Sequence, residues 1–181
     1  MYLLGIDPGF AAVGYALVEL LPVGERVEEL GVLLTEKSGK VRAVRASDDN
    51  VRRGREIDFG LWSVASSSMR SVVAICAESM SFPRHAGNAA KMAMCWGVIV
   101  GISARLGIPI VQASPQEVKK AVVGKKDASK EEVQAALKAR YPCPATSVPF
   151  TKTRIEHPFD ALGAVVACLD SEVVRLARKM C

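Results

Sequence analysis

The sequence predicts an α/β fold, a mixed five-stranded sheet with helices on both faces, on three observations. Tyr2-Leu3-Leu4-Gly5-Ile6 and Val72-Val73-Ala74-Ile75-Cys76-Ala77 are apolar runs with the length and composition of strands buried on both sides. Each run stops abruptly at a carboxylate, Asp7 and Glu78. Strand-like segments at the start give way to helical periodicities alternating with single strands, the pattern of a meander followed by β–α units.

Taken in order, the first strand turns at Pro8-Gly9 into a second, Val13 to Val18. Arg26 to Leu34 supplies a third, with Leu30, Val32 and Leu34 alternating toward one face. Thr35 to Asn50 reads as a polar connection, with Ser38-Gly39 and Asp48-Asp49-Asn50 as turn signals. Val51 to Ser71 carries Ile57, Leu61, Val64 and Ala65 at helical spacing, and Val72 to Glu78 is the fourth strand. Gly87 to Leu106 reads as a largely buried helix and Ile108 to Val111 as the fifth strand. Ser114 caps a short helix with Pro115 at its first position. Lys130 to Arg140 is another helix, Tyr141 to Pro149 a Pro-rich loop, and Pro158 to about Lys179 a final helix. Right-handed crossovers prune the topologies, and an RNase H-like domain spanning residues 1–181 satisfies the whole order.

At 181 residues the chain buries enough surface to fold without disulfides or structural metal. Its net charge of +5 and pI near 9.0 lean toward a polyanionic partner. The five cysteines, Cys76, Cys95, Cys143, Cys168 and Cys181, show no ligand spacing, and a reducing cytoplasm fits them. The first strand begins at once, leaving no room for a signal peptide. The charge-free stretch between Lys91 and Arg105 is too short for a bilayer, so no membrane role is expected.

An acid at the end of a buried strand is costly unless it is compensated, and two such ends would share one rim of the sheet. His157-Pro158-Phe159-Asp160 adds a third piece. Pro158 suits a first helical turn, with His157 preceding the helix and Asp160 on the same face three residues on. Two carboxylates about 4 Å apart repel by roughly 4 kcal/mol at an effective dielectric of 20. Three demand protons or a divalent cation, and oxygen-rich ligation favours Mg²⁺ or Mn²⁺ over zinc. Two such ions about 4 Å apart can clamp a scissile phosphate. Taken singly, Asp7 is as readily a turn residue, Asp160 a helix-dipole partner and His157 an N-terminal flank.

Gly5-Ile6-Asp7-Pro8-Gly9 followed by Gly14-Tyr15 resembles the opening of RuvC-type Holliday junction resolvases. Ala77-Glu78-Ser79, Gly97-Val98, Val118-Lys119-Lys120-Ala121-Val122-Val123-Gly124, Lys130, Val133, Gln134 and Asp160-Ala161-Leu162 continue that resemblance in family order. The resemblance implies a homodimeric, Mg²⁺-dependent endonuclease that nicks opposed strands of a four-way DNA junction. It implies two ions per site, with Asp7, Glu78, Asp160 and His157 as ligands and catalytic groups. It implies DNA contacts from Lys119 and Lys130 and from Phe82 reaching into the junction; Lys120 and Arg84 are further candidate DNA contacts. Branch-migration proteins are partners that such an enzyme would meet. The helix containing Gly97 matches the family's dimer helix, while Pro83, His85 and the Tyr141 to Glu156 linker depart from the usual pattern. Those departures leave open a phage-type nuclease with broader branched-DNA substrates.

Read without the resemblance, Lys119 and Lys130 can hold phosphates while Lys120 and Lys138 are as readily a solvated helix face. Lys40, Arg42, Arg45, Arg52, Arg53 and Arg55 form a second basic set that fits a DNA arm or a surface loop equally. Gly97 and Gly101 suggest a helix packed tightly on its own sheet, with a dimer contact on the opposite face. Competing functions fit less well. An actin-like ATPase needs a second lobe, Asp58-Phe59-Gly60 has no kinase context, and a catalytically inactive junction binder gains nothing from clustered acids. A general RNase H-type ribonuclease is the remaining enzymatic alternative.

Overall fold

The computed structural model describes residues 1–39, 44–66, 71–80, 84–142 and 156–180. The elements are β1 (Tyr2–Asp7), β2 (Ala12–Leu20), β3 (Glu25–Leu34), α1 (Ala46–Ala65), β4 (Val72–Glu78) and α2 (Ala86–Leu106). They continue with β5 (Ile110–Ala113), α3 (Pro115–Val123), α4 (Lys130–Arg140), α5 (Glu156–Cys168) and α6 (Glu172–Arg178). The strands form one mixed sheet in the order β3-β2-β1-β4-β5. The meander β1-β2-β3 is antiparallel, and β4 and β5 add to it in parallel, as the sequence order predicts.

Strand alternation sorts the side chains into two cores. Leu3 of β1 and Ala74 and Cys76 of β4 face the core made with α3, α4, α5 and α6. Leu4, Ile6, Ile75 and Ala77 face the opposite core, under α1 and α2. Asp7 and Glu78 continue the first set, so both acids emerge on the α5 face. Ile6 pairs with Ala77, which brings the two strand ends level.

Helix α5 is the centrepiece of that face. Pro158, Phe159, Ala161–Val166 and Cys168 are all buried, because the helix is enclosed between the sheet and helices α3 and α4. Its close approach depends on missing side chains. A Cβ on Gly5 would stand 2.4 Å from the Ala161 carbonyl oxygen, and one on Gly14 would stand 2.1 Å from that of His157. Both glycines are therefore required by contact with the helix backbone.

Several boundaries differ from the sequence reading. Helix α1 starts at Ala46, because Asp48 and Asp49 occupy its first turn, where acids are favoured, instead of marking a bend. Asp49 also accepts hydrogen bonds from the Ser38 hydroxyl at 2.6 Å and Arg52 Nη2 at 2.7 Å. Strand β5 begins at Ile110, after Ile108 N–H closes the end of α2 on the Ser103 carbonyl and Pro109, which has no N–H for the ladder. The C-terminal helix is split in two. Ser171 caps α6 by accepting from the Val174 N–H, so the chain bends after α5. His157 lies inside α5 and not before it. Leu34 is exposed at the end of β3 instead of joining Leu30 and Val32 in the core.

Helix α2 departs most. Only Cys95, Trp96, Ile99 and Ile102 are buried, and a Cβ on Gly97 or Gly101 would meet nothing within 4 Å. The glycines thus face outward and not onto the sheet. By length and composition this 21-residue helix, with an 18-residue stretch of mean hydropathy 1.3, could span a bilayer, but its buried side is committed to the core under the sheet. Cys76, Cys95 and Cys168 are buried free thiols. Cys143, Cys181 and residues 143–149 of the Pro-rich loop lie outside the described residues.

Candidate active site

Asp7, Glu78 and Asp160, from three distant segments, line one cavity of about 340 Å³ together with Lys119 and Lys130. Pro115, Val118 and Val133 complete its wall. The local sequence explains each position. Asp7 and Glu78 are the ends of adjacent parallel strands. Ser114 and Ser129 each form a capping box, with Glu117 and Glu132 respectively, which fixes where α3 and α4 begin and hence where Lys119 and Lys130 project.

His157 reaches the centre through Asp7. Asp7 pairs with Gly14 across β1 and β2, and the bare face of Gly14 lets the His157 backbone settle there. Its Nδ1 then lies 2.7 Å from Asp7 Oδ2. His157 does not itself line the cavity. Lys130 Nζ makes the second close contact, 3.4 Å from Asp160 Oδ2.

The electrostatics follow from these placements. Burial pushes the Glu78 carboxyl up, reinforced by Asp7 and Asp160 and opposed by Lys130 and Lys119. Asp160 is likewise raised by burial and by Asp7, with Lys130 opposing. The hydrogen bond to Asp7 raises the His157 imidazole against its own burial. The Asp160 carboxylate raises the Lys130 ammonium. Asp7 therefore disfavours the charged forms of Glu78 and Asp160, and the two lysines supply only partial compensation.

Among the described residues, no three of the His, Cys, Asp and Glu side chains stand close enough together to hold an ion between them. Asp7 is engaged by His157 and Asp160 by Lys130, and these contacts relieve part of the repulsion. The donor set still suits a hard cation. Three carboxylates open on one cavity, and the two shifted toward the neutral form, Glu78 and Asp160, gain from a divalent charge bound in it.

Of the remaining expected residues, Lys120 is exposed on α3 and does not line the cavity, and Arg84 is exposed just before α2. Phe82, Lys40 and Arg42 lie outside the described residues. Arg53 is not on a surface loop; it lies in α1, 3% exposed, held by the Thr35 hydroxyl and the Phe10 carbonyl. Asp7 and Glu78 also line a second recess of about 160 Å³ with Pro8, Ser79, Met92 and Trp96, residues that sequence reasoning did not single out for the site. No sequence signal marks Met92 and Trp96, because their position beside the acids arises from packing of α2 across the sheet.

Comparison with known proteins bears directly on this arrangement. Residues 3–151 match the family model described as crossover junction endodeoxyribonuclease RuvC. A Sorangium cellulosum protein of that description is 35% identical over 141 residues, covering 77% of this chain and 72% of the relative. The Heliobacterium modesticaldum counterpart is 30% identical over 171 residues, covering 94% and 95%. Among solved structures, Thermus thermophilus RuvC in complex with a Holliday junction substrate has a similar fold, with a TM-score of 0.69 at 20% identity and 92% coverage of each chain.

Proposed function

Because the chain belongs to the crossover junction endodeoxyribonuclease RuvC family and is therefore a nuclease, we propose that it resolves four-way DNA junctions by paired, symmetric nicks. The observation that carries this reading is the convergence of Asp7, Glu78 and Asp160 on one cavity walled by Lys119 and Lys130. Acids at the floor and lysines at the wall fit a phosphodiester, whose bridging phosphate needs positive contacts while its cleavage needs a charged centre.

In this reading Asp7, Glu78, Asp160 and His157 hold two Mg²⁺ ions, for which Mn²⁺ can substitute. When bound, the ions lower the pKa of water and stabilise charge on the departing oxygen. The chain's own residues do the rest. Lys119 and Lys130 seat the phosphate, while the hydrogen bond from His157 fixes the rotamer of Asp7. Water attack leaves 5′-phosphate and 3′-hydroxyl ends that a ligase can seal.

A homodimer gives two sites for two symmetric strands. The outward face of α2 supports it, with Val100 54% exposed and open space beyond Gly97 and Gly101. Action in the cytoplasm alongside branch-migration proteins completes the proposal. The decisive experiment incubates the protein with labelled four-way junction, linear duplex and RNA–DNA hybrid, with and without Mg²⁺. Asp7→Asn should bind the junction and fail to cut it. Cleavage of the hybrid alone would overturn the substrate assignment.

A further inference from the structure

A separate cavity of about 290 Å³ lies next to the acidic centre, lined by Phe10, Ala11, Lys37, Arg53, Asn88, Lys91 and Met92. Three of these residues are cations and none is an acid. Arg53 is the informative one. It is 3% exposed, donates from Nε to the Thr35 hydroxyl at 2.9 Å and from Nη2 to the Phe10 carbonyl at 3.0 Å, and lies over the Phe10 ring at 4.5 Å. All these partners are neutral. Among the described residues no carboxylate pairs with Arg53, Lys37 or Lys91. A buried guanidinium without a counter-ion is costly, and an anion entering the cavity removes that cost.

The surroundings agree. Asn88 and Lys91 come from the first two turns of α2, whose opening turn holds no acid and whose N-cap, His85, makes no side-chain capping bond. Met92 lines both this cavity and the recess holding Asp7 and Glu78. The same two acids line the Lys119–Lys130 cavity. The acidic centre is thus flanked by cations in two separate cavities.

We propose that the Lys37–Arg53–Lys91 cavity is a phosphate subsite, seating a backbone phosphodiester of the DNA near the one that is cut. This rests on the reading of the chain as a junction nuclease. Arg53 supplies a fixed positive floor, and Lys37 and Lys91 close over the phosphate from β3's trailing loop and from α2. The arrangement holds the strand on the far side of the scissile position from Lys119 and Lys130.

The test measures affinity for a labelled four-way junction in EDTA as a function of salt, so that it does not depend on cleavage. Lys37→Gln/Lys91→Gln should flatten the slope of log affinity against log salt by about 0.9 and weaken binding roughly eightfold at 0.1 M salt, as expected for one lost phosphate. Lys138→Gln/Lys179→Gln, which removes equal charge from exposed sites elsewhere, should keep the wild-type slope. Equal slopes in both double variants, with wild type binding and cutting normally, would overturn the subsite and leave the proposed function standing. Wild-type protein that binds no junction at all would overturn that function and the subsite with it.

Discussion

Gly14→Ala separates assembly of the proposed catalytic centre from folding of the sheet. The added methyl would stand 2.1 Å from the His157 carbonyl oxygen and 2.3 Å from its carbon, whereas ordinary contact begins near 3.4 Å. The start of α5 must therefore retreat by about 1.3 Å, carrying His157 off Asp7, to which Nδ1 is now bonded at 2.7 Å. A misplacement of this size in a catalytic centre costs about 10²-fold in rate, or roughly 2.7 kcal/mol of transition-state stabilisation. The same crowding destabilises the fold by about 1–3 kcal/mol. The assay is single-turnover cleavage of a labelled junction in Mg²⁺, alongside junction affinity in EDTA and a thermal melt. Cleavage should fall about 100-fold while affinity stays within threefold. Gly54→Ala, whose methyl meets only Met94 Cε at 3.9 Å, is the control and should melt slightly higher. A folded Gly14→Ala protein that cuts at the wild-type rate would refute the claim that this glycine sets the position of His157.

Other perturbations reach different parts of the molecule. Glu25, its side chain 7% exposed, accepts hydrogen bonds from Arg140 at 2.6 Å, Tyr141 at 2.7 Å and Arg178 at 3.2 Å, so Glu25→Ala should cost about 2 kcal/mol in urea unfolding, the full buried-pair penalty being reduced by the exposure of both arginines. Burial pushes the Glu25 carboxyl up, but hydrogen bonds from Tyr141 and Arg140 outweigh it and hold the folded pKa below the ordinary 4.5. Its contribution is therefore complete above that value and is lost as pH falls through the lower folded pKa, a loss that Glu25→Gln should abolish. Ser129→Ala removes the cap of α4 and should cost about 1 kcal/mol by the same unfolding measurement. Val100→Glu places a charge on the outward face of α2 and should shift the proposed dimer to monomer in sedimentation, with an unchanged circular dichroism spectrum.

Much of this was legible because composition and position coincide. Strands β1 and β4 are apolar to their last residue and then acidic, so both the sheet and its reactive rim can be read from a few letters. Capping boxes at Ser114 and Ser129 declare α3 and α4 locally. Other features depend on partners far away in sequence. The burial of Arg53 requires Thr35 and the Phe10 carbonyl, 18 and 43 residues distant, and no local pattern announces it. Apolarity nearly all round α2 cannot distinguish a helix sunk in its own core from one kept for a second molecule. Asp48 and Asp49 suit a turn and a helix start equally, and only the bonds that Asp49 makes to Ser38 and Arg52 decide between them.

The enclosed position of α5 orders events in time. Residues 156–168 follow all five described strands, yet they supply the helix on which one face of the sheet closes. During synthesis the strands bearing Asp7 and Glu78 emerge well before Asp160, and their shared core lacks its central member until that helix docks. A nascent chain consequently carries an incomplete set of acids, and on the proposed assignment the ability to cut DNA arrives together with the finished hydrophobic interior.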